Sequence, residues 1–102
     1  MDFKVIFRET FIEDLERIVR SIAARNPDAA RKLGEIIIEM SEKLSFFPER
    51  HPRVRERPIV RRFIVTKYFK VFYRVNAESK TVEILRCWDG RQGSLPHIEV
   101  HN

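Results

Sequence analysis

The sequence predicts an α+β fold, in which an N-terminal strand and an antiparallel helical hairpin pack on a small, mainly antiparallel β-sheet. In the first half of the chain, apolar residues recur at spacings of three and four, which is the period of a helix. After residue 58 the spacing changes to two, which is the period of a strand. The links between these later segments are only a few residues long, which favours antiparallel pairing. With 102 residues, we expect residues 1–102 to form a single domain.

The first strand and the first helix follow each other closely. The segment "FKVIF" (3–7) is β-branched and aromatic, which is typical of a strand. Thr10 followed by Glu13 has the spacing of a capping box, in which each side chain caps a backbone N–H at the start of a helix. The predicted helix carries one apolar stripe, formed by Phe11, Leu15, Ile18, Val19 and Ile22.

The second helix begins almost without a loop. Asn26 is a good N-cap residue, and Pro27 suits the first helical position because no backbone donor is needed there. The short connection predicts an antiparallel hairpin. The apolar stripe of this helix consists of Ala30, Leu33, Ile37, Met40 and Leu44.

A basic, proline-rich loop over residues 46–58 separates the helices from the sheet. Because Pro48, Pro52 and Pro58 lack a backbone donor, we expect no regular structure there. Three strands are predicted after it, at residues 59–66, 69–75 and 81–88, and residues 92–102 are predicted to be a flexible tail. In the middle strand, alternation places Phe69, Val71, Tyr73 and Val75 towards the helices and Lys70, Phe72 and Arg74 on the opposite, more basic face.

The positive charge is concentrated in one part of the sequence. Residues 49–74 contain nine Arg or Lys and two Glu, a net charge of +7, whereas the whole chain has +5, so the remainder sums to −2. A basic segment of this kind favours a nucleic acid or an acidic protein as partner, and a merely solvated surface is the alternative. No apolar run is long enough to cross a membrane, and the single cysteine, Cys87, is interpreted as a buried thiol. We therefore expect a cytoplasmic protein.

Most familiar catalytic chemistries lack the residues that they need. His51, His97 and His101 fall in loop or tail segments, away from the one cysteine, so no metal site is expected. Three glycines do not form a phosphate-binding loop, and no serine has the surroundings of a nucleophile. We therefore predict no cofactor.

The remaining candidates are cations on or beside the predicted sheet. Strands lie about 4.8 Å apart, so such residues could converge on one phosphate, which guanidinium groups bind well. An acidic peptide would fit the same charges. Because Arg61 and Arg62 are adjacent, they must point to opposite faces. The strand set is Arg61, Arg62, Lys70, Arg74, Arg86 and Arg91, and the loop set is Arg50, Arg53, Arg55 and Arg57.

The order of these motifs resembles the RelE/ParE superfamily of bacterial toxins. The resemblance runs from Phe3 to about Arg91 and rests on "NPDAA", "VRRFIVTKYFKVFYRV", "VEILRCW" and "DGR". It implies a compact toxin of a type II toxin–antitoxin module, neutralised by a cognate antitoxin, with which it could form a hetero-oligomer. The RelE-like branch cleaves messenger RNA in the ribosome without a metal, and the ParE-like branch inhibits DNA gyrase.

Alignment with the RelE-like pattern implies a set of catalytic positions. Arg61 falls at a strand lysine, and Phe63 stands where a second lysine is expected. Lys70 falls at the arginine of the next strand, Arg91 matches the arginine after the last strand, and His97 falls near the tail tyrosine. The candidate catalytic residues are thus Arg61, Lys70, Arg91 and His97, and the candidate phosphate-binding or partner-binding residues are Arg53, Arg55, Arg57, Arg62, Arg74 and Arg86.

Other features are similar to ParE-like members, notably the long helical hairpin and the "FYRV…VEILR…GR" pattern. Those members often carry a histidine where this chain has Asp89, which could pair with Arg91 and reduce its availability to phosphate. Three hypotheses follow from the resemblance: a ribosome-dependent endoribonuclease, a non-enzymatic gyrase inhibitor, or a degenerate member that only binds antitoxin.

Overall fold

A computed structural model of the protein describes residues 2–100 and confirms the α+β fold. Three single-turn 3₁₀ helices, at Lys43–Ser45, Pro48–Arg50 and Gly90–Gln92, connect the longer elements. None of the helices within residues 2–100 is long and apolar enough to cross a membrane. The longer elements are β1 (Lys4–Phe7), α1 (Glu9–Ala23), α2 (Pro27–Glu42), β2 (Arg53–Val54), β3 (Arg57–Ile64), β4 (Phe69–Asn76) and β5 (Thr81–Asp89).

The five strands form one sheet in the order β1-β5-β4-β3-β2. Strands β2 to β5 pair antiparallel with their neighbours, as the short links predict, whereas β1 pairs parallel with β5. The register places Lys4 beside Thr81 at one end of the sheet and Lys70 beside Trp88 near the other. The N-terminal strand is therefore an edge of the sheet.

The two helices begin in different ways. Asn26 caps α2 as predicted, since its side chain accepts a hydrogen bond from the Ala29 N–H at 3.0 Å. The capping box predicted for α1 is wrong, because the N-cap is Arg8, without a side-chain cap, and Thr10 lies inside the helix. The Thr10 hydroxyl donates instead to the carbonyl of Leu85 in β5, at 2.8 Å. The Thr10 side chain therefore bonds to the last strand, although the sequence spacing predicted that it would cap the helix.

The main core lies between the helical hairpin and the inner face of the sheet. The alternation predicted for β4 is confirmed, since Val71 and Tyr73 are buried in this core and Phe72 lies on the outer face. A bulge at Leu85 in β5 shifts the register, so that Phe72 pairs with Arg86 and Tyr73 with Ile84. The buried residues of the core are Phe11, Ile37, Leu44, Phe63, Val71, Tyr73, Val82, Ile84 and Cys87.

The outer face of the sheet carries a second, smaller apolar cluster. Four of its buried residues, Val54, Val60, Phe72 and Leu85, come from β2 to β5, and the fifth, Ile98, comes from the C-terminal segment. Residues 94–100 form no helix or strand, yet they lie over this cluster. The flexibility of this tail remains a prediction, and its end, including His101, is outside the described residues.

The prediction that residues 46–58 lack regular structure is wrong at three places. Pro48–Arg50 form a single 3₁₀ turn, Arg53–Val54 form β2, and β3 already begins at Arg57, so Pro58 lies within a strand. Proline is tolerated there because pairing of β3 with β4 starts only at Arg61. Sequence reasoning missed β2 because a two-residue edge strand depends on its neighbour and not on its own composition.

Candidate functional site

The side chain of Asp14 joins α1 to β5 in the interior of the protein. It is 2% exposed, and its carboxylate accepts hydrogen bonds from the Arg86 side chain at 2.7 and 3.0 Å and from the Cys87 N–H at 3.1 Å. Arg17 adds a further hydrogen bond at 2.8 Å. The hydrogen bond to Asp14 raises the pKa of Arg86. Sequence analysis missed Asp14, because its position on the helix gives no sign of the strand that it meets.

Arg86 also holds the C-terminal segment. Its Nη1 donates to the His97 carbonyl at 2.6 Å, while Arg57 donates to the Ile98 carbonyl at 2.6 Å and Trp88 donates to the Ser94 carbonyl at 2.7 Å. Three side chains of the sheet thus fix three carbonyls of the segment. Arg57 and Arg86, both predicted to bind phosphate or a partner, thus bind carbonyls of the same chain.

An outer cleft of about 570 Å³ lies between this segment and the start of α1. Its charged residues are paired: Glu83 binds Arg8 at 2.5 Å and lies 3.6 Å from Arg74. The imidazole of His97 is 81% exposed and lies 3.7 Å from Glu99. The arrangement leaves little net positive charge for a phosphate.

Arg61 lies on the inner side of the sheet, in the same orientation as the core residue Phe63. It pairs with Tyr73 in the neighbouring strand, and its side chain is only 14% exposed. Its guanidinium donates to the carbonyls of Glu49 and His51, at 3.1 and 2.8 Å. Arg61 therefore holds the segment after α2 in place and does not face the outer surface.

Lys70 and Arg91 lie together at the end of the sheet where β3 turns into β4. The Gly90 N–H donates to the Tyr68 carbonyl at 2.5 Å, and a Cβ on Gly90 would lie 3.3 Å from the Lys70 Cε. The guanidinium of Arg91 lies 4.4 Å from the centre of the Tyr68 ring, in cation–π geometry. This is the only pair among the four candidate catalytic residues that the structure brings together within residues 2–100.

Asp89 pairs with Arg91, as the sequence analysis anticipated. The Arg91 Nε and Nη2 donate to the two carboxylate oxygens at 2.9 and 2.7 Å. This hydrogen bonding lowers the pKa of Asp89 and raises the pKa of Arg91. Both groups are therefore charged at neutral pH. The negative charge of Asp89 offsets part of the positive charge that Arg91 could offer to a phosphate.

The exposed and half-buried side chains around Lys70 and Arg91 define a surface that we call the hairpin-end patch. Ile64 pairs with Lys70 and Arg62 pairs with Phe72, which puts all of them on the outer face. Lys67 lies 5.6 Å from the centre of the Tyr68 ring, on the turn between the strands. The hairpin-end patch consists of Arg62, Ile64, Lys67, Tyr68, Lys70 and Arg91.

The arginines before β3 do not form one site. Arg50 donates to the carbonyls of Lys43, Phe46 and Phe47, so it holds the end of α2. Arg53 donates to the Pro58 carbonyl at 2.9 Å across the turn between β2 and β3. Arg55 is exposed and makes no hydrogen bond or ion pair with any described residue.

The four candidate catalytic residues thus occupy three separate places. Arg61 lies on the inner face, Lys70 and Arg91 at the hairpin end, and His97 beside the outer cleft. Cys87 is buried as predicted, and burial first, then the Asp14 charge, raises its pKa to about 12. Residues 2–100 contain no group of three His, Cys, Asp or Glu placed to hold a metal.

Several solved structures with this fold come from toxin–antitoxin modules. The chromosomal ParDE toxin–antitoxin system from P. aeruginosa matches with a TM-score of 0.74 and 23% identity, over 85% of this chain and 95% of the other. The toxin–antitoxin complex RelBE2 from Mycobacterium tuberculosis matches at 0.63 and 24%, over 87% and 92%. A mutant of the E. coli toxin RelE in the free state matches at 0.66 and 12%, over 90% and 87%. The TM-scores show that these proteins share the fold of this chain.

The sequence itself places the chain in a family. No curated protein sequence matches it significantly. Residues 5–93, however, match the model of the family described as the ParE toxin of the type II toxin–antitoxin system parDE. The resemblance to the RelE/ParE superfamily is therefore confirmed, and the chain belongs to the ParE toxin family of type II toxin–antitoxin systems.

Proposed function

We propose that the protein arrests bacterial growth by binding and inhibiting DNA gyrase, without catalysing a reaction itself, and that a cognate antitoxin neutralises it. The observation that carries this proposal is the separation of the four candidate catalytic residues into three places. A ribonuclease must hold phosphate-binding cations and a proton-transferring group around one scissile bond. An inhibitor that acts by binding needs only an accessible surface.

The condition of each candidate residue argues against RNA cleavage. Arg61 donates to two backbone carbonyls, and Arg91 is paired with Asp89. The His97 imidazole is open to solvent, so it lacks the fixed position that efficient proton transfer needs. Lys70 alone remains available on the outer face, and one lysine is insufficient to stabilise the transition state of phosphate transfer.

The antitoxin is the second part of the proposal. The similar ParDE and RelBE2 structures are described as a toxin–antitoxin system and a toxin–antitoxin complex. By analogy, we propose that this chain forms a hetero-oligomer with an antitoxin encoded beside it. Because gyrase acts on chromosomal DNA, the complex and its target would meet in the cytoplasm.

Induced expression in a bacterium that lacks the antitoxin tests the proposal. We expect growth arrest, gyrase–DNA cleavage complexes that accumulate after induction, and intact messenger RNA within ribosomes. Co-expression of the antitoxin should restore growth. With purified gyrase, the protein should trap cleaved DNA in the absence of ribosomes.

Two results would contradict gyrase inhibition. New messenger RNA ends at codons inside the ribosome, abolished by Arg91→Ala in a folded variant, would identify a RelE-like endoribonuclease. Harmless expression, with antitoxin binding retained, would identify a degenerate member. In either case gyrase complexes would stay at the level of uninduced cells.

A further inference from the structure

We propose that the hairpin-end patch is the surface that contacts the toxin's target, and that the target presents an acidic, partly apolar protein surface to it. This inference rests on the proposed function, since it assumes inhibition by binding. It adds the location of the contact and the chemistry of the partner. Charge, exposed apolar groups and local rigidity support it independently.

The charge of the patch is strongly positive. It carries the four cations Arg62, Lys67, Lys70 and Arg91, and the neighbouring carboxylate, Asp89, is already bonded to Arg91. The side chains of Arg62 and Lys70 form no hydrogen bond or ion pair with the part of the chain described. Cations without internal partners can pair with carboxylates of another protein and accelerate its association by electrostatic steering. The charge complementarity therefore points to an acidic partner.

The apolar groups in the patch distinguish a protein from a nucleic acid. Ile64 is 54% exposed and Tyr68 is 39% exposed, between cations on the same surface. Phosphate binding gains nothing from an exposed aliphatic side chain. Protein interfaces, in contrast, centre on buried aromatic and aliphatic contacts with charged groups around them. Ile64 beside Lys70 fits that pattern.

The patch is also held in shape before binding. The Tyr68 ring has both Lys67 and Arg91 close to it, and the Tyr68 carbonyl accepts the Gly90 N–H. A Cβ on Gly90 would lie 3.0 Å from that carbonyl oxygen, so glycine allows the turn after β5 to approach the hairpin closely. Side chains ordered in advance lose less conformational entropy on binding.

Two patch variants and two matched controls test the inference. Lys70→Glu reverses a charge, and Ile64→Ser removes the aliphatic group without changing charge. Lys4→Glu makes the same charge reversal on the exposed side chain at the start of β1, and Ile36→Ser alters an exposed isoleucine of α2. Lys4 pairs with Thr81 and Lys70 with Trp88, about 23 Å apart along β5 at 3.3 Å per residue. Melting temperatures establish that each variant folds.

Growth arrest in cells and affinity for purified gyrase holoenzyme are measured for all four. We expect Lys70→Glu and Ile64→Ser each to weaken gyrase binding about tenfold or more and to relieve growth arrest, with the controls within about twofold of wild type. Wild-type behaviour of both patch variants would overturn the inference. So would a Lys70→Glu defect without an Ile64→Ser defect, which would indicate a phosphate partner, to be checked by binding to duplex DNA alone.

Growth arrest separates this inference from the proposed function. If the wild-type protein arrests growth without binding gyrase, gyrase inhibition fails, and loss of arrest in the two patch variants still supports the patch as the target contact. If the two patch variants also arrest growth as the wild type does, both gyrase inhibition and the patch inference are wrong. A harmless wild-type chain would overturn both.

Discussion

At the scale of single residues, Asp14 shows how one carboxylate can join two elements. β1 pairs with β5 only as far as Ile84, which leaves the later backbone groups of β5 without a strand on that side. Asp14 accepts the Cys87 N–H there, and Thr10 donates to the Leu85 carbonyl. Side chains of α1 thus replace a missing strand, and Arg86 compensates the buried charge.

We expect Asp14→Asn to lower the free energy of unfolding by about 2–4 kcal/mol, because it leaves the largely buried Arg86 guanidinium without its anion. The exposed Arg17 also binds Asp14, so Arg17→Ala is the matched control and should cost less than about 1 kcal/mol. Urea denaturation followed by circular dichroism measures both. Equal losses for the two variants would refute the central role of the Asp14–Arg86 pair.

His51 makes stability depend on pH. Its ring packs at a tilt against Phe63 and edge-on to Tyr73. Burial first, then the Arg50 charge, lowers its pKa from the ordinary 6.5. The unfolded chain therefore binds the proton more readily than the folded protein. The contribution of His51 is complete above pH 6.5 and is lost as the pH falls below that value through the lowered pKa of the folded protein.

We therefore expect the free energy of unfolding to decrease between pH 7.5 and pH 5, and His51→Phe to make this decrease smaller. Denaturation curves at several pH values in that range provide the test. Parallel pH profiles for the two proteins would show that His51 does not contribute.

At the scale of elements, the connection between α2 and the sheet contains an unfavourable backbone conformation. Phe47 has φ 45° and ψ 57°, in the left-handed region, and its side chain is 77% exposed. This conformation costs an L-residue about 1–2 kcal/mol, and it is rarer still before a proline. Arg50 holds it in place through the neighbouring carbonyls.

Phe47→Gly should raise the free energy of unfolding by about 0.5–1 kcal/mol, because glycine adopts this conformation without strain and little burial is lost. Phe46 provides a matched control, since its φ of −114° suits any residue. Phe46→Gly should lower stability. Thermal melts of the two variants should therefore shift in opposite directions, and a shift in the same direction would contradict the strain at Phe47.

The C-terminal segment is expected to contribute to stability although it forms no helix or strand. Ile98 is buried against Phe72 and Leu85, whereas Leu95 in the same segment is exposed. Ile98→Ser should cost about 2 kcal/mol from lost apolar burial, and Leu95→Ser should cost little. Chemical denaturation of both variants measures the difference. Similar small effects would show that the segment does not stay on the sheet in solution.

At the scale of the whole molecule, Cys87 reports on global unfolding. It lies in the core between the helices and the sheet, and its pKa is raised to about 12 by burial and by Asp14. We expect a thiol reagent at pH 8 to label it only when the domain opens, at a rate set by the opening equilibrium. Ser94→Cys supplies an exposed thiol as control and should react at once. Rapid labelling of Cys87 in the native protein would contradict the packing.

The order of elements was predictable because it depends on local patterns. The stripe of each helix, the Asn26 cap and the alternation along β4 are properties of a few consecutive residues, and the structure confirms them. The contacts of Thr10 and Arg61 were not predictable in this way, since their partners are the Leu85 carbonyl and the carbonyls of the segment before β2. Such contacts depend on how distant elements meet, and no local pattern encodes them.

The site was predictable in its composition but not in its arrangement. The basic character of the strands is evident in the sequence, and the Asp89–Arg91 pairing follows from their separation of two residues. Which cations face outwards depends on the sheet and on the path of the C-terminal segment. That segment uses Arg57 and Arg86 for its own attachment, leaving Lys70 and Arg62 accessible.

The parallel pairing of β1 with β5 has a consequence for synthesis. Lys4 lies beside Thr81, so the first strand cannot complete its hydrogen bonds until the last strand has left the ribosome. Contacts between residues so distant in sequence form slowly, because a long loop must close first. We therefore expect the domain to reach its native state only after β5 has been synthesised and is free to pair with β1. The newly made protein would thus pass through a short inactive interval, in which a partner already present in the cell could bind it before it acts.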